Sequence, residues 1–282
     1  MMGMMMMIGV MEVRGMGVEF EIAKERVMHE KKGRMDLWVV KDFLKPDDAE
    51  RLYDEFEKRW QEDMSSSSSS SSSSPKSWLY TTNIPGQNQK IRSNENVEER
   101  QKKALIALKK GVFAYSKYEL DRTTKEFKQA SQIFNDPQLL EAVSSMLSSK
   151  IVDTHDMFIS CYRHNDFLNI HQDSSLGTFA FVLSLTKNWT AADGGLLRLF
   201  CNGYDHYSPS SSPPCRTVVP GFNTLSIFRV RPDTLDHDVT KVLSSTKHRY
   251  AVTGWWYEEN ANFSEWEKVE QRRQKGMYDE EL

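Results

Sequence analysis

The sequence predicts an α+β fold in which N-terminal helices brace a β-sandwich or jelly roll. Up to residue 149 the apolar residues recur mainly at helical spacing, whereas the chain beyond breaks into short β-rich runs. Turn signals such as Asp193-Gly194-Gly195 separate these runs. Many short strands at such spacing are typical of a sandwich or jelly roll. The predicted strands cover residues 157–162, 179–185, 196–200, 224–230 and 250–257.

The helical part of the chain is predicted to follow a short strand that begins near Asp36. Pro46 stands at the first turn of a helix, a position that suits proline. Apolar side chains then recur at helical spacing at Ala49, Leu52, Phe56 and Trp60. Residues 96–116 and 124–149 are predicted as further helices, the second with a break at Pro137.

One domain is predicted for residues 36–282, after a Met-rich leader over residues 1–35 that we expect to be disordered. Serine fills every position from 65 to 74. Such a run has no side chain to bury, so it is predicted to be a flexible insertion. It interrupts the domain and does not divide two, because neither side of it is complete alone.

The composition argues against two classes of partner. The 282 residues carry 37 Lys and Arg against 40 Asp and Glu, with a formal net charge of −3 and no Lys/Arg block. No nucleic acid is therefore expected as a partner. No apolar run approaches the roughly 20 residues of a membrane span, so no membrane partner is expected. The sequence does not determine the oligomeric state.

Three cysteines are present, at 161, 201 and 215, and none forms a C-x-x-C pair. A small odd number fits free thiols in a reducing compartment. The N-terminus lacks the basic start and small-residue cleavage site of a signal peptide. A cytoplasmic or nuclear location is therefore expected, while the terminal Asp-Glu-Glu-Leu, distantly similar to a retention tetrapeptide, keeps the endoplasmic reticulum as an alternative.

Among seven histidines, His171 begins an H-x-D motif that ends at Asp173. In an extended strand, residues i and i+2 point to the same face, so an imidazole and a carboxylate can converge on one metal ion. A further histidine would complete a 2-His-1-carboxylate triad, which leaves positions open on Fe(II). His164 and Asp166 form a second H-x-D motif in a polar, turn-like stretch. His171 is preferred because it precedes a full strand at hairpin distance.

The third ligand must come from another strand downstream. His206 lies in a Tyr/Ser/Pro-rich stretch, and His248 lies directly beside Arg249, so that one of these two must face away from a shared pocket. His237 follows the predicted strand at 224–230 and begins another short one. His237 is therefore the predicted third ligand.

Arg249 lies twelve residues after His237 and begins the last predicted strand. An iron-bound 2-oxoglutarate needs a fixed cation for its far carboxylate, and the planar guanidinium binds a carboxylate through two parallel hydrogen bonds. By strand parity, Arg249 shares a face with Ala251, Thr253 and Trp255. This face is predicted to line the pocket.

Together these motifs resemble the prolyl hydroxylase branch of the Fe(II)- and 2-oxoglutarate-dependent dioxygenases. The likeness covers residues 159–258 and is similar to both the hypoxia-inducible-factor and the ribosomal-protein prolyl hydroxylases. The pieces that carry it are Cys161-Tyr162, His171-Gln172-Asp173, Leu185-Thr186-Lys187-Asn188-Trp189, Gly194-Gly195-Leu196-Leu197-Arg198-Leu199-Phe200, Phe222-Asn223-Thr224-Leu225-Ser226-Ile227-Phe228, His237-Asp238-Val239 and Arg249-Tyr250-Ala251-Val252-Thr253-Gly254-Trp255.

The resemblance implies a double-stranded β-helix, that is, a jelly roll, with Fe(II) on His171, Asp173 and His237. It also implies that Arg249 pairs with the far carboxylate of 2-oxoglutarate and that Tyr162, Thr253 and Trp255 line the same pocket. Ser184 stands where relatives often place a tyrosine that hydrogen-bonds the cosubstrate. Weaker binding of 2-oxoglutarate than in relatives is therefore expected.

The implied reaction uses O2 and 2-oxoglutarate, releases succinate and CO2, and hydroxylates a prolyl residue in a protein or peptide substrate, with ascorbate as an auxiliary reductant. Three alternatives remain open at this point. The domain acts on another substrate, such as a small molecule or a lysyl residue; it is a non-catalytic ligand-sensing module on the same fold; or it is a cupin-like metalloenzyme that does not use 2-oxoglutarate.

Overall fold

The computed structural model describes residues 24–65, 76–85, 90–173, 176–204, 212–230 and 235–259. The strands of this part are β1 (Val27–Lys32), β2 (Met35–Val40), β3 (Trp78–Asn83), β4 (Ile91–Arg92), β5 (Tyr115–Leu120), β6 (Ile151–Tyr162), β7 (Phe167–His171), β8 (Phe179–Ser184), β9 (Leu197–Phe200), β10 (Arg216–Val218), β11 (Thr224–Arg229), β12 (Asp236–Val239) and β13 (Arg249–Glu258). The α-helices are α1 (Pro46–Ser65), α2 (Val97–Lys109), α3 (Lys125–Phe134) and α4 (Pro137–Leu147).

All of these strands pair antiparallel in one strongly curled sheet. The order along it is β1-β2-β11-β8-β13-β6-β5-β7-β12-β9-β10, and β3 pairs with β4 and β5. Strand β5 pairs with β6 through Tyr118 and Glu119 and with β7 through Tyr115 and Ser116. Strand β5 therefore joins the long half of the sheet, β1-β2-β11-β8-β13-β6, to the short half, β7-β12-β9-β10. The curl of the sheet confirms the predicted α+β double-stranded β-helix.

Strand parity separates the two main hydrophobic clusters. In β8, Phe179 and Phe181 pack in the cluster that also holds the apolar faces of α1, α3 and α4. Ala180 lies between them and packs in the other cluster, with residues of β2, β9 and β11. The helices thus cover one face of the long half-sheet, and the opposite face lines the inside of the curl.

The helix boundaries follow local capping chemistry. The hydroxyl of Thr124 accepts the backbone N–H of Phe127 at the start of α3. The carboxylate of Asp136 accepts the N–H of Gln138, and Pro137 takes the first position of α4, which is the predicted break. None of the described helices has the length and apolar character that a membrane crossing requires.

Three predicted boundaries are wrong. The strand predicted over 157–162 begins six residues earlier, at Ile151. Strand β1 lies inside the segment predicted to be a disordered leader. It is ordered because its backbone pairs with β2 over six residues. The helix predicted over 96–116 ends at Lys109, and Tyr115 already belongs to β5. Long-range pairing with β3, β6 and β7 determines β5, whose residues after Tyr115 are all buried, and this pairing is not visible in a helical window.

The expectation of three free thiols is also wrong. Cys201, just after β9, forms a disulfide with Cys215, just before β10, with a Cα–Cα distance of 5.7 Å. Cys161 is free and buried in β6.

Some of the sequence predictions fall outside the described residues. They concern residues 1–23 of the predicted leader, residues 66–74 of the serine run, His206 and the terminal Asp-Glu-Glu-Leu.

Candidate metal and cosubstrate site

Three predicted ligands meet at one point inside the curl. His171 ends β7, Asp173 follows two residues later, and His237 lies in β12 directly opposite His171 in the strand register. The Nε2 atoms of His237 and His171 lie 3.1 and 3.3 Å from the two carboxylate oxygens of Asp173. One ligand atom from each residue lies within 4.8 Å of the others, and no other such group occurs among the described residues.

Backbone carbonyls fix the orientation of both imidazoles. The Nδ1 atom of His171 lies 2.9 Å from the carbonyl oxygen of Asn169, and that of His237 lies 3.0 Å from the carbonyl oxygen of Leu235. Because a carbonyl only accepts, Nδ1 carries the proton in each ring, which leaves the Nε2 lone pair for a metal ion. The indole Nε1 of Trp255 donates to Asp173 at 3.1 Å and orients the carboxylate.

The electrostatics favour an ionised carboxylate. Burial raises the pKa of Asp173, but the imidazoles of His237 and His171 outweigh burial and hold this pKa well below its usual value. Burial lowers the pKa of His237, and the Asp173 carboxylate more than offsets that effect. Two imidazole nitrogens and one carboxylate oxygen form the donor set of non-heme Fe(II) oxygenases, so the residues present fit this ion.

Arg249 lies in the same cavity and is 3% exposed. It is paired in the strand register with Tyr162, and its guanidinium carbon lies 5.1 Å from the centroid of the Tyr162 ring. Its Nε has no hydrogen-bond partner, and Arg249 forms no ion pair with any residue in the described ranges. Burial lowers the pKa of Arg249, yet a guanidinium stays charged at neutral pH. A buried cation without a counter-ion is costly, so this position fits an anionic ligand.

A cavity of about 680 Å³ contains the triad and Arg249. Tyr162, Thr253 and Trp255 line it, whereas Ala251 does not. Further lining residues, which the sequence analysis missed, are Phe113, Phe158, Leu176, Ala180, Val182, Leu197 and Phe228. Most of these belong to strands that were predicted, but their side chains converge only once the sheet curls.

Ser184 lies beside Arg249 in a small adjoining pocket and not in the main cavity. Its hydroxyl donates to the hydroxyl of Thr186 at 3.2 Å, which in turn donates to the carbonyl of Tyr250. The weaker cosubstrate binding expected from Ser184 stays a prediction.

Gln172, the central residue of the H-x-D motif, connects the two ligand-bearing strands. Its side-chain amide donates to Asp236 at 2.8 Å. The second carboxylate oxygen of Asp236 accepts the backbone N–H of Tyr204 at 2.8 Å. The hydrogen bond between Gln172 and Asp236 couples the positions of His171 and His237, because these are their neighbours in sequence. The sequence alone did not indicate this pairing.

The second H-x-D motif forms a structural anchor. Asp166 is fully buried and accepts hydrogen bonds from Tyr80 at 3.0 Å, Gln101 at 2.8 Å and Ser116 at 3.0 Å, as well as from a backbone N–H. It thereby ties β3, α2 and β5 to the chain just before β7. Neither His164 nor Asp166 lines the cavity that holds the triad.

We expect Asp166→Ala to lower the free energy of unfolding by about 3 kcal/mol, because several buried donors lose their acceptor at once. Asp153→Ala, at an exposed position of β6, is the control and is expected to change it by less than about 0.5 kcal/mol. Urea unfolding measures both. Equal stability of the two variants, with iron binding lost only in Asp166→Ala, would show that the metal motif was assigned wrongly.

The comparisons with known proteins agree with this geometry. Residues 157–257 match the family model described as the 2OG-Fe(II) oxygenase superfamily. That segment contains all three triad residues and Arg249. This part of the chain is similar to 2OG-Fe(II) oxygenase domains, whose family name refers to 2-oxoglutarate and Fe(II).

The chain is also similar to curated proteins that are named prolyl 3-hydroxylases. The chain is 34% identical over 116 residues to the prolyl 3-hydroxylase OGFOD1 of Xenopus laevis, which is 41% of this chain and 22% of that protein. It is 33% identical over 105 residues to the prolyl 3-hydroxylase OGFOD1 of Mus musculus, which is 37% of this chain and 18% of that protein. The match thus spans about a fifth of the length of each relative.

Among solved structures, the chain is similar to a prolyl-4-hydroxylase from Pseudomonas putida, with 16% identity, a TM-score of 0.42, and coverage of 80% of this chain and 92% of that one. It is also similar to a prolyl hydroxylase from Trichoplax adhaerens in complex with a hypoxia-inducible-factor peptide. That likeness has 20% identity, a TM-score of 0.35, and coverage of 49% of this chain and 60% of the other.

Proposed function

We propose that this chain is an Fe(II)- and 2-oxoglutarate-dependent dioxygenase that hydroxylates prolyl residues in a protein substrate and releases succinate and CO2. The observation that carries the proposal is the buried Arg249, which has no ion-pair partner among the described residues, in one cavity with His171, Asp173 and His237. A metal-binding triad alone is compatible with many reactions. The added cation supports a dicarboxylate cosubstrate whose other end reaches the metal.

In this proposal the triad holds Fe(II), and Arg249 pairs with the far carboxylate of 2-oxoglutarate. Bound iron and 2-oxoglutarate supply the activation of O2 and couple oxidative decarboxylation to hydroxylation of the substrate. Trp255 keeps the Asp173 carboxylate oriented through its indole N–H. The apolar lining, including Leu176, Ala180 and Phe228, keeps water away from the reacting centre. No side chain is required as a general base.

Support for a prolyl target comes from the curated relatives, which are named prolyl hydroxylases. The aromatic and aliphatic lining of the cavity suits a pyrrolidine ring. The alternatives are a small-molecule or lysyl substrate, a non-catalytic ligand-sensing module, and a metalloenzyme that does not use 2-oxoglutarate. The intact triad together with Arg249 counts against the non-catalytic module. Arg249 alone counts against a metalloenzyme without 2-oxoglutarate, which does not require a buried cation beside the triad.

A turnover assay tests the proposal. The full chain is incubated with Fe(II), ascorbate, 2-oxoglutarate, O2 and a panel of proline-containing peptides, and both products are followed by mass spectrometry. Succinate should form together with a gain of one oxygen atom on proline, and Asp173→Ala should give neither. Oxygen found on lysine, or only on an added small molecule, would replace the prolyl assignment. Absence of succinate under all conditions would remove the enzyme assignment.

We further propose that residues 36–282, together with β1, act as one catalytic domain and that residues 65–74 are a tolerated insertion. Shortening the serine run to four residues should leave succinate formation unchanged.

The cytoplasmic or nuclear location is kept as a proposal. The Cys201–Cys215 disulfide counts against it, because disulfides are rare in reducing compartments. Imaging of a tagged full chain decides between these compartments and the endoplasmic reticulum.

A further inference from the structure

The cavity extends beyond the triad and Arg249 to a second group of charged side chains, which we call the charged wall. Lys90, with 45% of its side chain exposed, and Arg122, with 56%, place this wall toward solvent. The proposed function assigns no role to it. The charged wall consists of Lys90, Lys117, Glu119, Arg122 and Asp156.

Strand β5 positions the centre of the charged wall. Lys117 and Glu119 are two residues apart and therefore lie on the same face of the strand. Glu119 is paired in register with Ser160 of β6, whose face also presents Tyr162 and Phe158. The cavity lining contains Lys117 and Glu119 together with these two aromatic residues. The lysine and the glutamate thus belong to the same wall as the proposed cosubstrate pocket.

Lys117 is a buried cation, with 6% of its surface exposed. Its Nζ lies 3.2 Å from Glu119 and 3.6 Å from the centroid of the Phe158 ring. Burial lowers the pKa of Lys117. Burying an ammonium is costly unless its charge is balanced, and a ring face balances only part of it. The charge of Lys117 therefore depends on the carboxylates that face it inside the cavity.

Glu119 does not balance the charge of Lys117 fully, because it forms ion pairs with two lysines. Its carboxylate also lies 3.1 Å from the Nζ of Lys90. Burial raises the pKa of Glu119, but Lys117 and Lys90 outweigh burial and lower this pKa to about 2. Arg122 pairs with Asp156 at 3.0 Å, so these two neutralise each other. The charged wall keeps a surplus of one positive charge, since three cations face two carboxylates.

The inner part of the cavity does not absorb this surplus. In the proposed loaded site, the two charges of Fe(II) and the one of Arg249 equal the charge of Asp173 plus the two carboxylates of 2-oxoglutarate. The inner site is then neutral, and the surplus at Lys117 and Lys90 remains for the substrate.

We infer that the charged wall binds an acidic side chain of the substrate, so that the enzyme prefers a proline close in sequence to aspartate or glutamate. This inference rests on the proposed prolyl hydroxylation. An entering carboxylate accepts from the ammonium groups of Lys117 and Lys90 and shares them with Glu119. Charge-assisted hydrogen bonds of this kind in a partly desolvated cavity give about tenfold discrimination or more.

The experiment uses synthetic peptides with a single proline in matched pairs, Asp against Asn and Glu against Gln, at the two positions on each side of it. The ratio of kcat/KM for the acidic and the amide peptide is measured on the full chain. We expect a ratio of about ten or more at one position at least. Lys117→Met should reduce this ratio to near one, and Lys90→Met should reduce it partly.

Lys103→Met, which removes an exposed lysine paired with Glu99 on α2, is the matched control and should keep the wild-type ratio. Thermal unfolding shows whether each variant folds. If Lys117→Met does not fold, the ratio measured for Lys90→Met alone tests the inference. Equal hydroxylation of acidic and amide peptides by the wild type overturns the inference and leaves the proposed function standing. An undiminished ratio in both lysine variants also overturns it. Turnover of 2-oxoglutarate with no oxygen on any proline overturns the proposed function, and the inference with it.

Discussion

Replacing His171 or Asp173 with alanine should abolish iron binding and 2-oxoglutarate-dependent succinate formation while the chain remains folded. Loss of an outer hydrogen-bond partner of a metal ligand already costs 10- to 100-fold in affinity or activity. Loss of a ligand itself should therefore cost more than about 100-fold. Both residues lie at or just beyond the end of β7, outside the two main hydrophobic clusters, which is why the fold should persist.

The measurement combines iron content after dialysis, succinate formation and thermal unfolding for each variant. His164→Ala, in the second H-x-D motif, is the matched control, because the His164 ring hydrogen-bonds the carbonyl of Leu243 and does not line the cavity of the triad. It should keep its iron and its activity. Loss of iron in His164→Ala with retention in His171→Ala would reverse the assignment of the two motifs.

Replacing Arg249 with alanine should lower kcat/KM for 2-oxoglutarate by at least about 30-fold, mainly through a higher KM. Truncating one partner of a buried, hydrogen-bonded charge pair costs about 2–5 kcal/mol, and each 1.4 kcal/mol is a factor of ten. Arg249→Lys keeps the charge but loses the planar fork, so it should recover only part of the affinity.

Initial rates of succinate formation at varied 2-oxoglutarate give these constants, and anaerobic binding of 2-oxoglutarate separates affinity from chemistry. Arg216→Ala, at a partly exposed position that pairs with Glu30, serves as the control and should match the wild type. Unchanged kinetics of succinate formation in Arg249→Ala would show that Arg249 does not bind the far carboxylate of 2-oxoglutarate. Absence of succinate formation in the wild type would remove 2-oxoglutarate as the cosubstrate and favour a metalloenzyme of the cupin-like kind.

Local patterns predicted much of the fold because they depend on short-range geometry. β-rich composition between turn signals located β8, β11 and β13 in the sequence, and the structure confirms those strands with boundaries shifted by one residue at most. Parity also placed Arg249, Thr253 and Trp255 on one face, and all three line the cavity. The proximity of His171 to His237 was predicted from order along the chain, and the β7–β12 register brings them together.

Features that depend on long-range pairing were not predicted. The sequence of β5 continues a helical pattern, and only its pairing with β6 and β7 reveals a strand. The bond from Gln172 to Asp236 and the charged wall around Lys117 both need neighbours that are far apart in sequence. The disulfide between Cys201 and Cys215 depends on the approach of β9 and β10, which C-x-x-C spacing does not report.

The central claim is that His171, Asp173 and His237 hold Fe(II) and that Arg249 fixes 2-oxoglutarate on it. Anaerobic titration of the full chain with Fe(II) and then 2-oxoglutarate tests it most directly, with the visible charge-transfer absorption of a 2-oxo acid coordinated to Fe(II) as the signal. We predict that the absorption appears only when both are present, saturates at one iron per chain, and is lost in Asp173→Ala. In Arg249→Ala it should need a far higher 2-oxoglutarate concentration. No absorption in the wild type, or the same absorption in Asp173→Ala, would contradict the claim.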